Sequence, residues 1–267
     1  MEERLQKLLA QHGLGSRRAI EQWIKDGRLT VNGKVAQLGD KAGINDRIML
    51  DRRLLKLGKA SAASLHQHLM YNKPEGEVCS TKPEGELRSV FDNLPRLKGK
   101  RWVSVGRLDA ATSGLLLFTT DGELANKLMH PSGGIERHYA VRVMGHPSEQ
   151  DIQAMKDGVE LDDGPARFQE VSPMGAASNN PWFQVMLAEG RNREVRRIWA
   201  SRGFTVSRLK RIRFGPIDID RRVLRGKYRP LSPGEISALY AAACLPVPGA
   251  ADKPRSPPRR WPSNRRS

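Results

Sequence analysis

Cysteine is nearly missing from this sequence: only Cys79 and Cys244 occur, far apart and without metal-type spacing. That excludes a disulfide-stapled secreted domain and a cysteine-ligated zinc fold. It suits a reducing cytoplasm, with both thiols serving as packing residues. Long apolar runs are missing too. The longest, Ile236–Val247, falls well short of the roughly 20 residues a membrane span needs. The opening stretch MEERLQKLLAQHG is amphipathic and lacks an uninterrupted apolar core, so it does not read as a secretory signal. No phosphate-cradling glycine loop and no metal-spaced cluster occurs. Acidic residues are scarce relative to basic ones: 29 Asp+Glu against 46 Lys+Arg give +17, with a pI of 10.4. Such a balance says little about fold but favours a polyanionic partner. Nucleic acid comes first, because neutralised phosphates release counterions, and a membrane surface second.

What is present divides by pattern. At 267 residues, with 38% hydrophobic and 28% charged, the chain suits a soluble protein of two domains. Residues 1–50 read as a compact αα-β unit. Leu5, Leu8 and Leu9 share one helix face, with Gly13 as a stop. Ser16 caps a second helix with Ile20, Trp23 and Ile24 inward and Gly27 at its end. The turn Asn32-Gly33 between Leu29–Val31 and Lys34-Val35 marks a tight hairpin, and Ile48–Leu50 closes the unit. Residues 51–66 read as a linker. From 67 to 245, strand candidates (Val103–Val105, Gly114–Phe118, Tyr139–Met144, Trp182–Leu187) mix with helices around Met155 and over Arg193–Arg202. A capping box over Thr120–Glu123 fits the start of another helix. No regular βαβ alternation appears, so the expected class is α+β with a mainly antiparallel sheet. Residues 246–267 hold six of the 17 prolines, and six Lys/Arg against one Asp contribute +5 of the +17. They are expected to form a disordered basic tail.

In the first unit, Arg4, Lys7, Arg17, Arg18, Lys25, Arg28 and Lys34 surround the second helix and the hairpin. Arg17 and Arg18 stand where free N–H groups also favour a phosphate. Charge alone fits a solvated face equally well. The run RLQKLLAQHGLGSRRAIEQWIKDGRLTVNGKVAQLGDKA, however, resembles an S4 domain, a small RNA-binding module. The resemblance implies that Ser16, Arg17, Arg18, Arg28, Asn32 and Lys34 face structured RNA, recognised by shape and phosphates.

Three later segments carry chemistry. In Val105–Gly122, flanking strand candidates place Arg107 and Asp109 at the rim of a polar turn; a lone aspartate there is usually a turn or capping residue. In Glu136–Val143, Tyr139 opens a strand two residues after Arg137, a position that half-buried packing would also explain. From 191 to 213, nine basic residues stand against one acid. Like charges this close repel, and a bound polyanion resolves the conflict.

Together, Gly106-Arg107-Leu108-Asp109 with Thr112 and Gly114–Leu117, ERHYAVRV and EGRNREVRR resemble the pseudouridine synthases. The branch is that of the small-subunit enzyme and its large-subunit relatives B, E and F, and the likeness runs nearest to the B type. Ala110-Ala111 replaces the usual Val-Asn, and Arg137 stands where many relatives carry lysine.

The resemblance implies isomerisation of uridine to pseudouridine in rRNA without a cofactor. It implies 23S rRNA, at a uridine of the pseudouridine-2605 type near the peptidyl transferase region, with 16S rRNA as the alternative. Asp109 would attack C1′ or remove a sugar proton; the residues do not choose between these routes. Arg196 would pair with Asp109, and Tyr139 would stack on the flipped base. Leu209 would floor the pocket, while Lys73, Arg107, Arg193 and Arg197 would meet RNA. The partner would be 23S rRNA or a large-subunit assembly intermediate, and a monomer is expected. A non-catalytic S4-type RNA-binding assembly factor would explain the charge but not the coincidence of Asp109, Tyr139 and Arg196. A DNA-binding protein is disfavoured, because the sequence lacks a second recognition-helix pattern, heptads or zinc spacing. The tail is too polar to insert in a membrane.

Overall fold

The computed structural model describes residues 2–57, 66–81, 85–97, 99–175 and 178–248. Residues 58–65 of the linker expected over 51–66, and the basic tail from residue 249 onward, lie outside them. Among the described residues, no helix is long and apolar enough to cross a membrane.

The N-terminal unit forms as its caps dictate. Leu5–Gln11 is a short helix. Ser16 caps Arg17–Lys25 by accepting from the Ala19 amide at 3.0 Å. Asn32 and Gly33 both take positive φ (51° and 84°), which a tight hairpin of this twist requires. The sheet of this unit orders as Lys34–Val35, Leu29–Val31, Ile48–Leu50 and Arg53–Leu54. It therefore continues past residue 50: Met49 pairs with Leu54, and Leu55 and Leu57 pack on the unit's core beside Leu5, Leu9 and Ile20. The stretch expected to begin a linker at 51 instead adds a strand, because Asp51 and Arg52 turn back with positive φ.

The larger unit is a nine-stranded sheet. Its main path runs Glu170–Met174, Trp182–Leu187, Arg137–Val143, Val206–Phe214, Ser113–Thr119, His68–Lys73 and Tyr228–Pro230. Every neighbouring pair on that path is antiparallel except Ser113–Thr119 with Val206–Phe214. That parallel pair matters for the site, because it sets two chemically loaded segments side by side. Gly114 permits the approach: a Cβ there would lie 2.2 Å from the Arg211 carbonyl oxygen.

Alternation along Ser113–Thr119 separates two cores. Leu116 and Phe118 join Tyr71, Tyr139, Phe183 and Trp199 on one face; Leu115 and Leu117 join Met70, Leu128 and Tyr240 on the other. Trp199, on the helix Glu194–Ser201, packs its ring 5.2 Å from Phe183. The helices Gly122–Met129 and Pro233–Ala242 contribute Leu128 and Tyr240 to the second face. The cap of Gly122–Met129 differs from the expected box. Asp121, not Thr120, accepts from the amides of Glu123 and Leu124 at 2.8 and 3.1 Å. A carboxylate one residue later suits the helix dipole better than a hydroxyl.

Candidate active site

The loop 106–112 leaves the strand Val103–Val105 and returns into Ser113–Thr119, its antiparallel partner. Gly106 has φ +80°, the left-handed conformation that lets the chain leave the strand sharply. Beyond it, each of five consecutive carbonyls accepts a hydrogen bond. The Cys79 thiol reaches Leu108 at 3.4 Å and Lys73 Nζ reaches Asp109 at 3.1 Å. The Gly76 amide reaches Ala110 at 2.8 Å, Arg196 Nη2 reaches Ala111 at 2.9 Å, and Lys73 Nζ reaches Thr112 at 2.9 Å. With its backbone held on all sides, the loop leaves the Asp109 side chain facing a cleft of about 990 Å³. That side chain is 34% exposed, and Arg193 Nη1 stands 3.9 Å from its Oδ2.

Tyr139, Leu209, Leu108 and Val195 give the cleft an apolar wall. Arg107 and Arg193, both on the lining, are exposed at its rim. Arg193 takes φ +50° at the N-cap of Glu194–Ser201, and its side chain makes no capping bond to the helix. Arg18 of the N-terminal unit also reaches the lining. The cleft thus offers one anchored carboxylate, an aromatic ring and several cations.

The expected site residues do not all serve as the sequence suggested. Arg196 forms no ion pair with Asp109 among the described residues. Its two terminal nitrogens donate to the carbonyls of Val206 (2.8 Å) and Ala111, joining helix, strand and loop. Burial, and then Arg193, lowers its pKa, while Asp109 opposes that shift. The carboxylate's ionic neighbour is Arg193. Lys73 does not reach out to a partner: it is buried, and its ammonium is consumed by the carbonyls of Pro74, Asp109 and Thr112. Burial lowers its pKa.

Arg197 is likewise engaged, donating to both oxygens of Asp163 at 2.8 and 2.9 Å. Arg191 and Arg202 also pair with acids, so the basic strip is largely neutralised from within. In the N-terminal unit, Arg28 is bidentate to Asp51 (2.9 and 2.5 Å). Asn32 bonds Asp46 and the Arg47 amide. Arg17, Arg18 and Lys34 are exposed and form no ion pair among the described residues.

Two lining residues escaped the motif reading. Cys79 bonds the Leu108 amide as well as its carbonyl, both at 3.4 Å. Arg211 is buried against the cleft, two positions after Leu209 on one strand. The period-2 spacing from Leu209 was the available signal.

Comparison with known proteins identifies the family. The RNA pseudouridylate synthase family profile matches residues 67–201, and the S4 domain profile matches residues 3–48. The chain belongs to the RNA pseudouridylate synthase family and carries an S4 domain. It is 50% identical over 258 residues to the Pseudomonas aeruginosa ribosomal large subunit pseudouridine synthase B, covering 95% of this chain and 66% of that one. It is 51% identical over 241 residues to the Vibrio cholerae protein of the same name, covering 90% and 74%. A crystal structure of a pseudouridylate synthase superposes with a TM-score of 0.62 at 26% identity, covering 88% of this chain and 99% of that one.

Proposed function

We propose that this isomerase converts a uridine of 23S rRNA to pseudouridine, at a site near the peptidyl transferase region. It would act as a cytoplasmic monomer on 23S rRNA or a large-subunit assembly intermediate. The observation that carries the reading is the Asp109 loop: five hydrogen-bonded carbonyls hold one carboxylate against an aromatic, cation-rimmed cleft. Half-identity to enzymes named for the large ribosomal subunit directs the choice of RNA.

The target uridine must leave its stack to reach Asp109, at a cost of a few kcal/mol. Tyr139 and Leu209 offer the flipped base an apolar seat that limits water. Asp109 then acts on the ribose, as nucleophile at C1′ or as base toward a sugar proton. Arg193, 3.9 Å from its Oδ2, orients that carboxylate. Arg196 and Lys73 are positioning residues, acting through the loop backbone. Arg107 and Arg193 hold neighbouring phosphates at the rim, while Arg17, Arg18 and Lys34 grip a more distant part of the RNA.

The test is incubation of wild type and Asp109→Asn with unmodified 23S and 16S rRNA, followed by carbodiimide-stop primer extension. One new stop in 23S rRNA, absent with the variant, is expected. A stop confined to 16S rRNA would move the substrate to the small subunit. Turnover by Asp109→Asn would remove Asp109 from the chemistry. No stop in either naked RNA directs the assay to precursor particles, where continued silence would leave only RNA binding.

A further inference from the structure

Arg211 is 2% exposed, among the largest fully buried side chains of the protein. Its Nε donates to the Leu115 carbonyl at 2.7 Å. Its Nη2 is buried without a hydrogen-bond partner among the described residues, and no acid there forms an ion pair with it. A buried guanidinium without a counter-charge is costly. The expense is understandable if the occupant of the cleft completes the site, because Arg211 lines that cleft. Its neighbours are those of the base seat: it is paired in register with Tyr139 and follows Leu209 by two residues. A second buried guanidinium, Arg137, lies across the Phe214 ring, the two standing 5.2 and 5.3 Å from its centroid. Arg137 spends Nη1 on the carbonyls of Ile135 and Ala188. Arg211, which lines the cleft, therefore keeps an unspent donor beside it.

We infer that Arg211 is a further catalytic residue, one that donates to a uracil carbonyl oxygen and stabilises the negative charge on the base while it is detached from the ribose. The inference rests on the proposed isomerase reading. Phosphates stay with the strand at the rim, beside exposed Arg107 and Arg193, whereas the flipped base reaches deepest. When the C1′–N1 bond breaks, its electron pair leaves with the base, spreading charge over N1 and the carbonyl oxygens. When C5 joins C1′, the ring returns a pair to form the new bond. C5 then loses its proton and N1 gains one, so the product is an isomer. Either role for Asp109 passes through the detached base. A fixed, water-excluded donor aimed at such charge is the most effective kind of electrostatic catalyst.

The experiment measures single-turnover C1′–N1 cleavage in a 23S rRNA fragment carrying uridine or 5-fluorouridine at the target, with wild type, Arg211→Met and Arg211→Lys. Fluorine stabilises the detached base by itself, so it lessens the need for the guanidinium. Arg211→Met is expected to slow uridine cleavage by about 100-fold and 5-fluorouridine cleavage by a several-fold smaller factor. RNA affinity and its salt slope should be unchanged, with Arg211→Lys in between. Equal slowing of both substrates would make Arg211 merely structural. Weaker binding with a shallower salt slope and an unchanged rate would make it a phosphate contact. Either result overturns the inference. If Arg211→Met does not fold, Arg211→Lys must show the same narrowing. A wild type inactive on every RNA strikes the isomerase reading itself, whereas the variant results strike this inference alone.

Discussion

The ammonium of Lys73 lies 3.1 Å from the carbonyl oxygen of Asp109, although 36 residues separate the two in the chain. The carboxylate that faces the cleft is thus aimed from behind by a lysine that is itself buried. Pro74 and Thr112 supply that lysine's other two acceptors at 2.9 Å, so all three ammonium protons are used.

Replacing Lys73 with Met should therefore damage the loop rather than RNA binding. The three carbonyls would lose a charged donor. The expected stability loss is about 2–4 kcal/mol, and the expected rate loss about 100-fold through misplacement of Asp109. Urea unfolding and single-turnover rates would show this. A shallower salt slope of RNA binding, with full activity, would mean that Lys73 meets phosphate after all.

Arg196→Ala removes the link between Val206 and Ala111. Activity should fall by about 100-fold with RNA affinity nearly unchanged. Amide exchange in the loop 106–112 should speed up. Arg196→Lys, which can reach only one carbonyl at a time, should recover part of the rate. Unchanged exchange in the loop would contradict a positioning role.

Arg193 and Arg197 stand four residues apart but should respond differently. Arg193 is 51% exposed beside Asp109, whereas Arg197 is held by both oxygens of Asp163. Arg193→Ala should lower the salt slope of RNA binding by about one and slow the reaction. Arg197→Ala should leave that slope where it is. Titrating RNA binding against salt separates them, and identical slopes for the two variants would refute the distinction.

Burial pushes the His68 imidazole down to about 4 from 6.5, with His66 adding to the shift and Asp121 opposing it. The ring sits 3.0 Å from the Thr119 hydroxyl in the sheet. Because the unfolded ring takes up a proton at higher pH than the folded one, the stabilising effect is complete above pH 6.5 and declines toward pH 4. The loss should be on the order of 2–3 kcal/mol. Chemical unfolding of wild type and His68→Gln across that window would read it. Parallel pH profiles would exclude His68 as the source.

Some features were legible because they are local. The Ser16 cap, the Asn32-Gly33 turn and the strands Val103–Val105 and Trp182–Leu187 each depend on residues adjacent in sequence, and each occurs as expected. The Asp109 motif was legible for the same reason: glycine, arginine, leucine and aspartate lie together in one turn. The partners of the charged residues were not. Arg28 finds Asp51 across a sheet, Arg197 finds Asp163 on another hairpin, and Lys73 finds carbonyls rather than solvent. A count of basic residues treats all of these as available to RNA, yet folding neutralises several of them.

The sequence by itself determined the class of the protein and the chemistry within reach: a basic, cysteine-poor α+β chain with an S4 unit and one motif-borne carboxylate. Periodicity, capping and short motifs operate over a few residues, so they survive without coordinates. The tertiary structure alone decided which cations stay free. Ion pairing and burial depend on distances between segments far apart in the chain. Only there does Arg193 replace Arg196 beside Asp109, Lys73 become internal, and Arg211 come to rest beneath the cleft with a donor still unspent.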